Sequence, residues 1–328
     1  MSIDRIGVIG GGAWGTALAQ TAAGGSAPVL LWAREAEVVR TINDTGANPL
    51  FLPNIALAES IRATGEIDDL AECDAILVVA PAQRVREVLA SASFGLAPLV
   101  LCAKGIEAGS KQLMSEVAAE VCPGAPIAVL SGPTFAHEVA AGLPAAVTLA
   151  CEDEDIGAAL AERLAQPTFR PYRSRDVVGA EIGGAVKNVL AIACGVVDGR
   201  GLGQNARAAL ISRGFAEMTR FGRARGAQAE TLAGLSGLGD LVLTCSSTSS
   251  RNFSLGKGLG EGRSAQELLA DRTTVAEGAH TAPVLVEAAR DAGVEMPIAE
   301  AVCALLGGDM AVEAAIGELL SRPLTSER

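Results

Sequence analysis

The amino-acid sequence predicts an α/β domain with a doubly wound sheet over residues 1–180, followed by an all-α domain over residues 181–328. A chain of 328 residues is longer than one small core requires, so two domains are expected. Apolar runs typical of buried strands alternate with helical segments in the first half, and they stop near residues 176–182. Because these runs are continuously apolar, they indicate a parallel sheet covered on both faces.

The first elements form a β-α-β unit, with a strand at 5–10, a helix at 13–24 and a strand at 28–33. Further strands are predicted at 72–81, 99–105, 126–133 and 145–151, with helices at 82–92, 111–121 and 154–166. Only helices follow, at 179–198, 205–226, 227–236, 264–270, 282–292, 297–306 and 311–321. The uncharged stretch from Ile6 to Ala33 is long enough for a membrane span, but its glycines and Pro28 divide it into strand, turn, helix and strand.

Composition excludes several classes of function. The chain has 38 Asp and Glu against 26 Lys and Arg, with a net charge of −12, which disfavours binding to nucleic acid or anionic lipid. Seven cysteines are scattered without a CxxC pair and there are two histidines, so we expect neither a metal site nor a disulfide framework. These cysteines, and a charged, glycine-rich start without a signal-peptide core, favour the reducing cytoplasm.

The segment GGGAWG at residues 10–15 contains the pattern GxGxxG, directly after the first strand and at the start of a helix. Gly10 permits a tight turn, Gly12 lets the backbone approach a pyrophosphate, and Gly15 lets helix and strand pack closely. The helix N-terminus adds free N–H groups that bind an anion. At the first strand of a β-α-β series this pattern predicts a Rossmann-type dinucleotide site, whereas a glycine-rich turn without a ligand is the alternative.

The end of the second strand bears on which dinucleotide is bound. A site for NAD usually places Asp or Glu here against the ribose 2′-hydroxyl. This chain has Arg34, which could pair with the 2′-phosphate of NADP, and Glu35 one position later. The combination favours NADPH and leaves NADH open, unless Arg34 is only a solvated charge at a helix start.

Lys187 lies in a predicted helix among small residues, with Gly183 and Gly184 one turn before it and Ala191 one turn after it. Glycine inside a helix costs about 1 kcal/mol relative to alanine, so two of them indicate room for a ligand or for a closely packed backbone. An ammonium kept from water can exchange a proton near neutral pH, which suits a general acid for a developing alkoxide. A surface lysine on a helix that packs through its glycines is the alternative.

Two polar segments of the helical half complete a candidate site. Asp240 lies in the apolar stretch LSGLGDLVLTC and needs a partner, for which Lys187 is the obvious candidate. In residues 248–252, hydroxyl groups, Arg251 and an amide precede a possible helix start, a combination that binds phosphate oxygens. A helix cap at Ser250 and a loop charge at Arg251 are the alternatives.

The first domain contributes residues beyond the carboxyl ends of two strands, where doubly wound sheets bind their ligands. Lys104 follows one such strand and residues 131–136 follow another, so Lys104 either approaches the substrate or is an ordinary strand-end charge. His137 is a conceivable acid for a dehydrogenase. Because it stands beside Glu138 at a helix start, a capping or surface role is favoured.

Seven segments, taken in order, resemble the bacterial NAD(P)-dependent glycerol-3-phosphate dehydrogenase family: GGGAWGTALA, CAKGIE, LSGPTFAHEV, GGAVKNVLAIACGVVDG, GLSGLGDLVLTC, SRNFSLG and VAEG. The match runs from residue 6 to about residue 280. Many dinucleotide enzymes share the first motif alone, but the combination of KNVLAIACG with GLGDLVLTC and SRNF is highly specific. The resemblance implies reversible reduction of dihydroxyacetone phosphate to sn-glycerol 3-phosphate for phospholipid synthesis, by a homodimer that uses NADP or NAD.

The resemblance also implies roles for individual residues. Lys187 corresponds to the proton-transferring lysine, with Lys104 as a second positive charge and Asp240 orienting Lys187. Substrate contacts are implied for Lys104, Gly132, Thr134, Lys187, Asp240, Ser250, Arg251 and Asn252. Cofactor contacts are implied for Ala13, Trp14, Arg34, Lys104, Ala136, Arg251, Val275 and Glu277, in addition to Gly10, Gly12 and Gly15. Thr134 and Ala13 stand where serine is frequent in the family, and both keep their backbone N–H groups.

Two other functions would use similar elements. A β-hydroxyacid dehydrogenase also pairs a dinucleotide domain with helices and a lysine on a glycine-lined helix, but it would need a site for a carboxylate, and SRNF would be incidental. A redox sensor that binds NADPH without turnover would have no need of Lys187, Asp240 and a phosphate site together. All of these are intact in this chain.

Overall fold

A computed structural model of the protein describes residues 2–270 and 276–321. Within these residues the strands are β1 (Ile6–Ile9), β2 (Val29–Trp32), β3 (Ala47–Asn48), β4 (Leu52–Ala56), β5 (Ile61–Thr64), β6 (Ala75–Val78), β7 (Leu99–Leu101), β8 (Ile127–Ser131), β9 (Ala145–Cys151) and β10 (Phe169–Ser174). Eight of them form one sheet in the order β10-β9-β8-β7-β6-β1-β2-β5. The chain order reverses between β1 and β6, as in doubly wound folds, so the predicted Rossmann-type fold is confirmed.

The helices of the first half are α1 (Ala13–Ala22), α2 (Ala36–Thr45), α3 (Val85–Ala90), α4 (Met114–Val121), α5 (Ala136–Ala140) and α6 (Glu154–Leu164). Two apolar cores lie in this domain, and β1 contributes to both, because Val8 faces one and Ile9 faces the other. The sheet is therefore covered on both faces, as its continuously apolar strands predicted.

The predicted parallel sheet is confirmed for six strands and is wrong for residues 145–151, because β9 runs antiparallel to β8. A parallel neighbour requires a crossover long enough to return along the sheet. The connection here contains only α5, which has five residues and packs on α1. The chain therefore enters β9 at the edge where it left β8, and β10 then pairs parallel with β9 after α6.

Four strands lack a clear sequence pattern and were not predicted. The strands β3 and β4 form an antiparallel hairpin outside the main sheet, whereas β5 and β10 form the two ends of that sheet. In β10 (FRPYRS) only Phe169 is buried, so the apolar run that signals the central strands is missing. After β10 the described elements are all helical.

The helices of the second half are α7 (Val177–Gly199), α8 (Gly203–Ala224), α9 (Ala229–Ala233), α10 (Asp240–Cys245), α11 (Arg251–Gly260), α12 (Ala265–Leu268), α13 (Glu277–Asp291), α14 (Pro297–Gly307) and α15 (Val312–Leu320). Helix α7 is the centre of this half, since α8, α10, α11, α13 and α14 all contact it. Among the described residues it alone is long and apolar enough to cross a membrane, but 94% of that window is buried inside the protein, as in a core helix.

Helix α7 also connects the two halves of the molecule. Its first residues, including Val177 and Ala180, pack into a core beneath the sheet. From Ile182 onward its side chains belong to the core of the helical half. The middle of α7 therefore passes the carboxyl edge of the sheet, and it is there that polar side chains from both halves meet.

Candidate active site

Lys187 projects from the middle of α7, and its side chain is only 7% exposed. Two glycines one turn earlier let other segments approach this stretch of the helix. A Cβ atom on Gly183 would lie 2.4 Å from the carbonyl oxygen of Ser236, and one on Gly184 would lie 3.0 Å from the Oγ atom of Ser131. Of the two explanations for these glycines, close packing is therefore confirmed.

The Asp240 carboxylate is fully buried and contacts the ammonium of Lys187, with 2.5 Å between Oδ1 and Nζ. Asp240 is the first residue of α10, and Thr244 lies one turn later on the same helix. The Thr244 hydroxyl accepts a second hydrogen bond from Lys187 Nζ at 2.9 Å. The predicted contact between Asp240 and Lys187 is confirmed, and two acceptors fix the ammonium in position.

Lys104 reaches the same carboxylate from the other half of the molecule. It follows β7, and its Nζ atom lies 2.7 Å from Asp240 Oδ2. It also donates a hydrogen bond to the Gly132 carbonyl at 3.1 Å. Gly132 has φ +153°, and a Cβ atom there would lie 2.9 Å from the Cα atom of Val147, so only glycine fits. The turn after β8 is thus shaped to present this carbonyl to Lys104.

Two ammonium groups therefore face one carboxylate, and all three side chains are largely buried. Burial lowers the pKa of Lys187 to about 8, an effect that Asp240 opposes and the charge of Lys104 adds to. A pKa near neutrality suits a group that gives up and takes back a proton. The cluster of Lys187, Asp240 and Lys104 has one more positive than negative group, which suits a substrate oxygen that becomes negative during the reaction.

A chain of amide hydrogen bonds connects this cluster to α11 and α13. Asn188, next to Lys187, donates to the Lys104 carbonyl at 3.4 Å and accepts from Asn252 Nδ2 at 3.0 Å. The Asn252 Oδ1 atom in turn accepts from the Gly278 N–H at 2.9 Å. Because an amide nitrogen carries two hydrogens, Asn252 keeps one donor beyond this chain. The predicted substrate residue Asn252 is thus held beside the lysine cluster.

The start of α11 brings a further cation to the site. Ser250 is the N-cap of α11, and its Oγ atom accepts from the Phe253 N–H at 3.2 Å, so the helix cap that was the alternative to a phosphate contact is present. Arg251, the first residue of α11, is exposed. Near it Glu277 opens α13, where burial raises the pKa of its carboxyl group against the opposing charges of Arg251 and Lys104. Positive charge therefore predominates around this side of the cluster.

The glycine-rich turn has the geometry of an anion cradle. Gly10 has φ +120°, and a Cβ atom on Gly15 would lie 1.8 Å from the Gly10 carbonyl oxygen. A Cβ atom on Gly12, by contrast, would meet nothing within 4 Å, so one side of the turn is open. Helix α1 has no side-chain cap and no acidic residue in its first turn, which leaves its N–H groups for an external anion. These residues fit a dinucleotide pyrophosphate.

Three of the predicted cofactor residues lie together next to this turn. Ala13, Trp14 and Ala136 pack against a small apolar cluster that includes Leu52 and Ala140. The indole N–H of Trp14 is buried and has no hydrogen-bond partner among the described residues. An orphaned buried donor beside an open anion cradle is a second observation that fits a bound polar ligand.

The other residues predicted from the sequence differ in how far they are exposed. Thr134 donates to the Gly132 carbonyl at 3.2 Å, next to Lys104. Arg34 is 79% exposed and pairs with Glu35 at 2.9 Å, beyond the end of β2. His137 is mostly exposed in α5, as the favoured surface role predicted. Val275 lies outside the described residues. Within the described ranges, no group of three or more potential metal ligands occurs.

Two residues of the site were missed by sequence reasoning. Thr244 carries a signal that could have identified it, since it stands four residues after Asp240 and so shares its helical face. Asn188 follows Lys187 directly and points toward α11. A polar residue in the longest apolar helix of the chain is itself unusual, because a buried amide requires partners.

A lysine–carboxylate cluster at the carboxyl edge of a dinucleotide-type sheet defines the protein as a dinucleotide-dependent dehydrogenase. Two family models agree with this class. The N-terminal model of NAD-dependent glycerol-3-phosphate dehydrogenase matches residues 5–157, and the C-terminal model of the same enzyme matches residues 176–317. The chain belongs to this family, as the resemblance of its motifs predicted, and it is therefore an NAD(P)-dependent oxidoreductase.

Individual relatives support the same assignment. Glycerol-3-phosphate dehydrogenase [NAD(P)+] of Erythrobacter litoralis is 64% identical over 323 residues, which cover 98% of each chain. The enzyme of that name from Caulobacter vibrioides is 60% identical over the whole of both chains. A crystal structure of glycerol-3-phosphate dehydrogenase from Coxiella burnetii superposes with a TM-score of 0.93 at 39% identity, covering 98% of this chain and 99% of that one.

Proposed function

We propose that the chain catalyses the reversible reduction of dihydroxyacetone phosphate to sn-glycerol 3-phosphate, the reaction for which its family is named. The observation that carries the proposal is the buried cluster of Lys187, Asp240 and Lys104 at the carboxyl edge of the sheet. Its two ammonium groups can activate a ketone. The product is a precursor of glycerophospholipids, and we propose that it enters their synthesis.

The chemistry follows from the positions of the two lysines. A bound nicotinamide supplies the hydride that reduces the ketone carbon. Lys187 donates a proton to the carbonyl oxygen and becomes a neutral amine, while Lys104 stabilises negative charge as it develops. Asp240 orients both ammonium groups. In the reverse direction the neutral amine of Lys187 accepts the proton of the substrate hydroxyl group.

The substrate phosphate is expected at the start of α11. Arg251 supplies a guanidinium group, which pairs well with phosphate oxygens, and Asn252 supplies the remaining amide donor. Gly132, Thr134 and Ser250 complete the proposed substrate contacts. Binding at the phosphate positions the carbonyl group beside Lys187, so a substrate without phosphate loses turnover as well as affinity.

The cofactor is expected along the turn at Gly10, Gly12 and Gly15, with the pyrophosphate at the start of α1. Arg34 is free to leave the exposed pair with Glu35 for a 2′-phosphate, which favours NADPH over NADH. The further proposed cofactor contacts are Ala13, Trp14, Lys104, Ala136, Arg251, Val275 and Glu277.

Three proposals concern the molecule as a whole. We propose a division between the dinucleotide domain and the helical domain at residue 180, where the α7 side chains pass from one core to the other. A homodimer follows from the family resemblance. A cytoplasmic location follows from the free cysteines.

The test measures the oxidation of NADPH and of NADH with three kinds of substrate: dihydroxyacetone phosphate, dihydroxyacetone and a series of small keto acids. We expect rapid turnover only with dihydroxyacetone phosphate, and a lower KM for NADPH than for NADH. Equal turnover with and without the phosphate group would contradict the role of α11. Turnover with a keto acid alone would replace the proposed substrate by one that carries a carboxylate.

A further inference from the structure

Asn48 is a fully buried amide that connects the β3–β4 hairpin to the glycine-rich turn. Its Nδ2 atom donates to the Gly11 carbonyl and to the Thr16 hydroxyl, each at 2.8 Å. The Thr16 hydroxyl also donates to the Gly11 carbonyl, at 3.3 Å. The Asn48 Oδ1 atom accepts from the Phe51 N–H at 3.4 Å. One side chain from outside the main sheet therefore holds one particular peptide group of the turn.

The orientation of that peptide group decides where its N–H points. In a trans peptide the C=O and the N–H of the next residue point in opposite directions. Because the Gly11 carbonyl is directed to Asn48, the Gly12 N–H is directed away from Asn48. A Cβ atom on Gly12 would meet nothing within 4 Å, so this residue borders the open part of the turn.

We propose that Asn48 is a positioning residue that fixes the Gly11–Gly12 peptide so that the Gly12 N–H faces the dinucleotide pyrophosphate. The inference rests on the proposed position of the cofactor at this turn. Without Asn48 the peptide between two glycines rotates easily, since glycine occupies a wide range of backbone angles. The donor then has to be ordered each time a dinucleotide binds, which weakens binding.

The β3–β4 hairpin is itself packed on α1, so it is fixed firmly enough to position the glycine-rich turn. Helix α2 ends at Thr45, its C-cap Gly46 has the left-handed conformation, and the chain then enters β3. After the turn, Leu52 packs with Ala17 of α1 and with Trp14. The hairpin is thus anchored on α1 on one side of Asn48, and Asn48 contacts the turn at the start of α1.

The experiment compares Asn48→Ala with the wild type in steady-state kinetics and in equilibrium binding. We expect the KM for NADPH and NADH, and the Kd for ADP-ribose, to rise on the order of tenfold, the cost of ordering one donor group each time a dinucleotide binds. The KM for dihydroxyacetone phosphate and kcat at saturating dinucleotide stay near the wild-type values. The inhibition constant of adenosine 2′-phosphate, which lacks the pyrophosphate, also stays unchanged.

Thr16→Val is the second variant, which keeps the shape of the buried side chain. It removes one acceptor of Asn48 and the longer bond from Thr16 to the Gly11 carbonyl, but it leaves the bond from Asn48 to that carbonyl. A smaller rise of the KM for NADPH and NADH and of the Kd for ADP-ribose is therefore expected. The matched control is Asn43→Ala. The Asn43 amide also hydrogen-bonds to the backbone at both ends, but its partner is Ala63 in β5. Its Nδ2 atom donates to the Ala63 carbonyl at 2.8 Å, and its Oδ1 atom accepts from the Ala63 N–H at 2.9 Å. This control lowers stability without changing the affinity for pyrophosphate compounds.

Equal weakening of ADP-ribose and adenosine 2′-phosphate in Asn48→Ala, or the same pattern in Asn43→Ala, would show a general structural role and overturn the proposal. Unchanged dinucleotide constants in folded Asn48→Ala would overturn it as well. A wild type that binds ADP-ribose but does not reduce dihydroxyacetone phosphate would contradict the proposed substrate only, since the binding comparison still tests Asn48. A wild type that binds no ADP-ribose would contradict the cofactor position and the role of Asn48 together.

Discussion

Replacement of Asp240 by asparagine tests the electrostatics of the site, because it removes the one negative charge between two ammonium groups while keeping the side-chain shape. Lys187 loses a charged contact of 2.5 Å and Lys104 one of 2.7 Å. Breaking a buried ion pair from one side costs about 3–5 kcal/mol. Lys187 keeps Thr244 as an acceptor and Lys104 keeps the Gly132 carbonyl. We therefore expect the free energy of unfolding to fall by about 3 kcal/mol, the lower end of this range.

The same variant changes the pH dependence of the reduction, which needs Lys187 in its protonated form. In the wild type the rate falls as pH rises through the pKa of Lys187, about 8. Asp240 raises this pKa, whereas burial and Lys104 lower it. Without the carboxylate the pKa is therefore lower, and the descending limb of kcat/KM moves to lower pH by about 1–3 pH units.

The assay is the pH profile of kcat/KM for dihydroxyacetone phosphate at saturating NADPH, with urea denaturation of the same samples. The matched control is Glu217→Gln, a buried carboxylate whose hydrogen bonds are to the N–H groups of Ile298 and Ala299 in α14. Glu217→Gln changes the free energy of unfolding but leaves the descending limb of the kcat/KM profile at the wild-type pH. An Asp240→Asn enzyme with an unshifted limb would refute the electrostatic reasoning, whatever its stability.

Three further predictions concern other parts of the molecule. Arg34→Ala raises the KM for NADPH roughly tenfold and leaves that for NADH nearly unchanged, as measured by initial rates. Gly183→Ala destabilises by about 1–3 kcal/mol in urea denaturation, because its Cβ atom would lie 2.4 Å from the Ser236 carbonyl, whereas Gly317→Ala, with open space around it, is neutral or slightly stabilising. Burial raises the pKa of Glu217 to about 7. Its contribution to the stability of the wild type is therefore full below about pH 4.5 and is lost as pH rises through 7. In Glu217→Gln the free energy of unfolding, measured between about pH 5 and 8, changes less with pH than in the wild type.

The sequence predicts those parts of the fold that have a strong local pattern. The glycines at the start of α1, the central strands and the long helix α7 are all recognisable from apolar runs and glycine spacing. The strand β3 has only two residues, β5 alternates apolar with polar residues, and β10 is largely exposed, so none of them contains a continuous apolar run. The direction of β9 depends on the shortness of α5, a detail finer than element boundaries can be predicted from sequence.

In the candidate site, too, features with a local sequence signal could be predicted and contacts between distant residues could not. A partner for Asp240 could be inferred, because a carboxylate in an apolar stretch requires one and Lys187 was the available cation. The simultaneous contact of Lys104 with this carboxylate joins residues 136 positions apart, and no local pattern encodes it. Asn48 is a similar case, since its bond to the Gly11 carbonyl spans 37 positions.

The central claim, that Lys187 supplies the proton during reduction, is tested most directly by Lys187→Ala at equal folded concentration. The measurement is kcat for NADPH oxidation with dihydroxyacetone phosphate, together with the Kd for NADPH. We predict that kcat falls roughly 10²–10⁴-fold while NADPH affinity stays near the wild-type value. A variant that retains kcat within about tenfold of the wild type would contradict the claim and move the proton donor to another group.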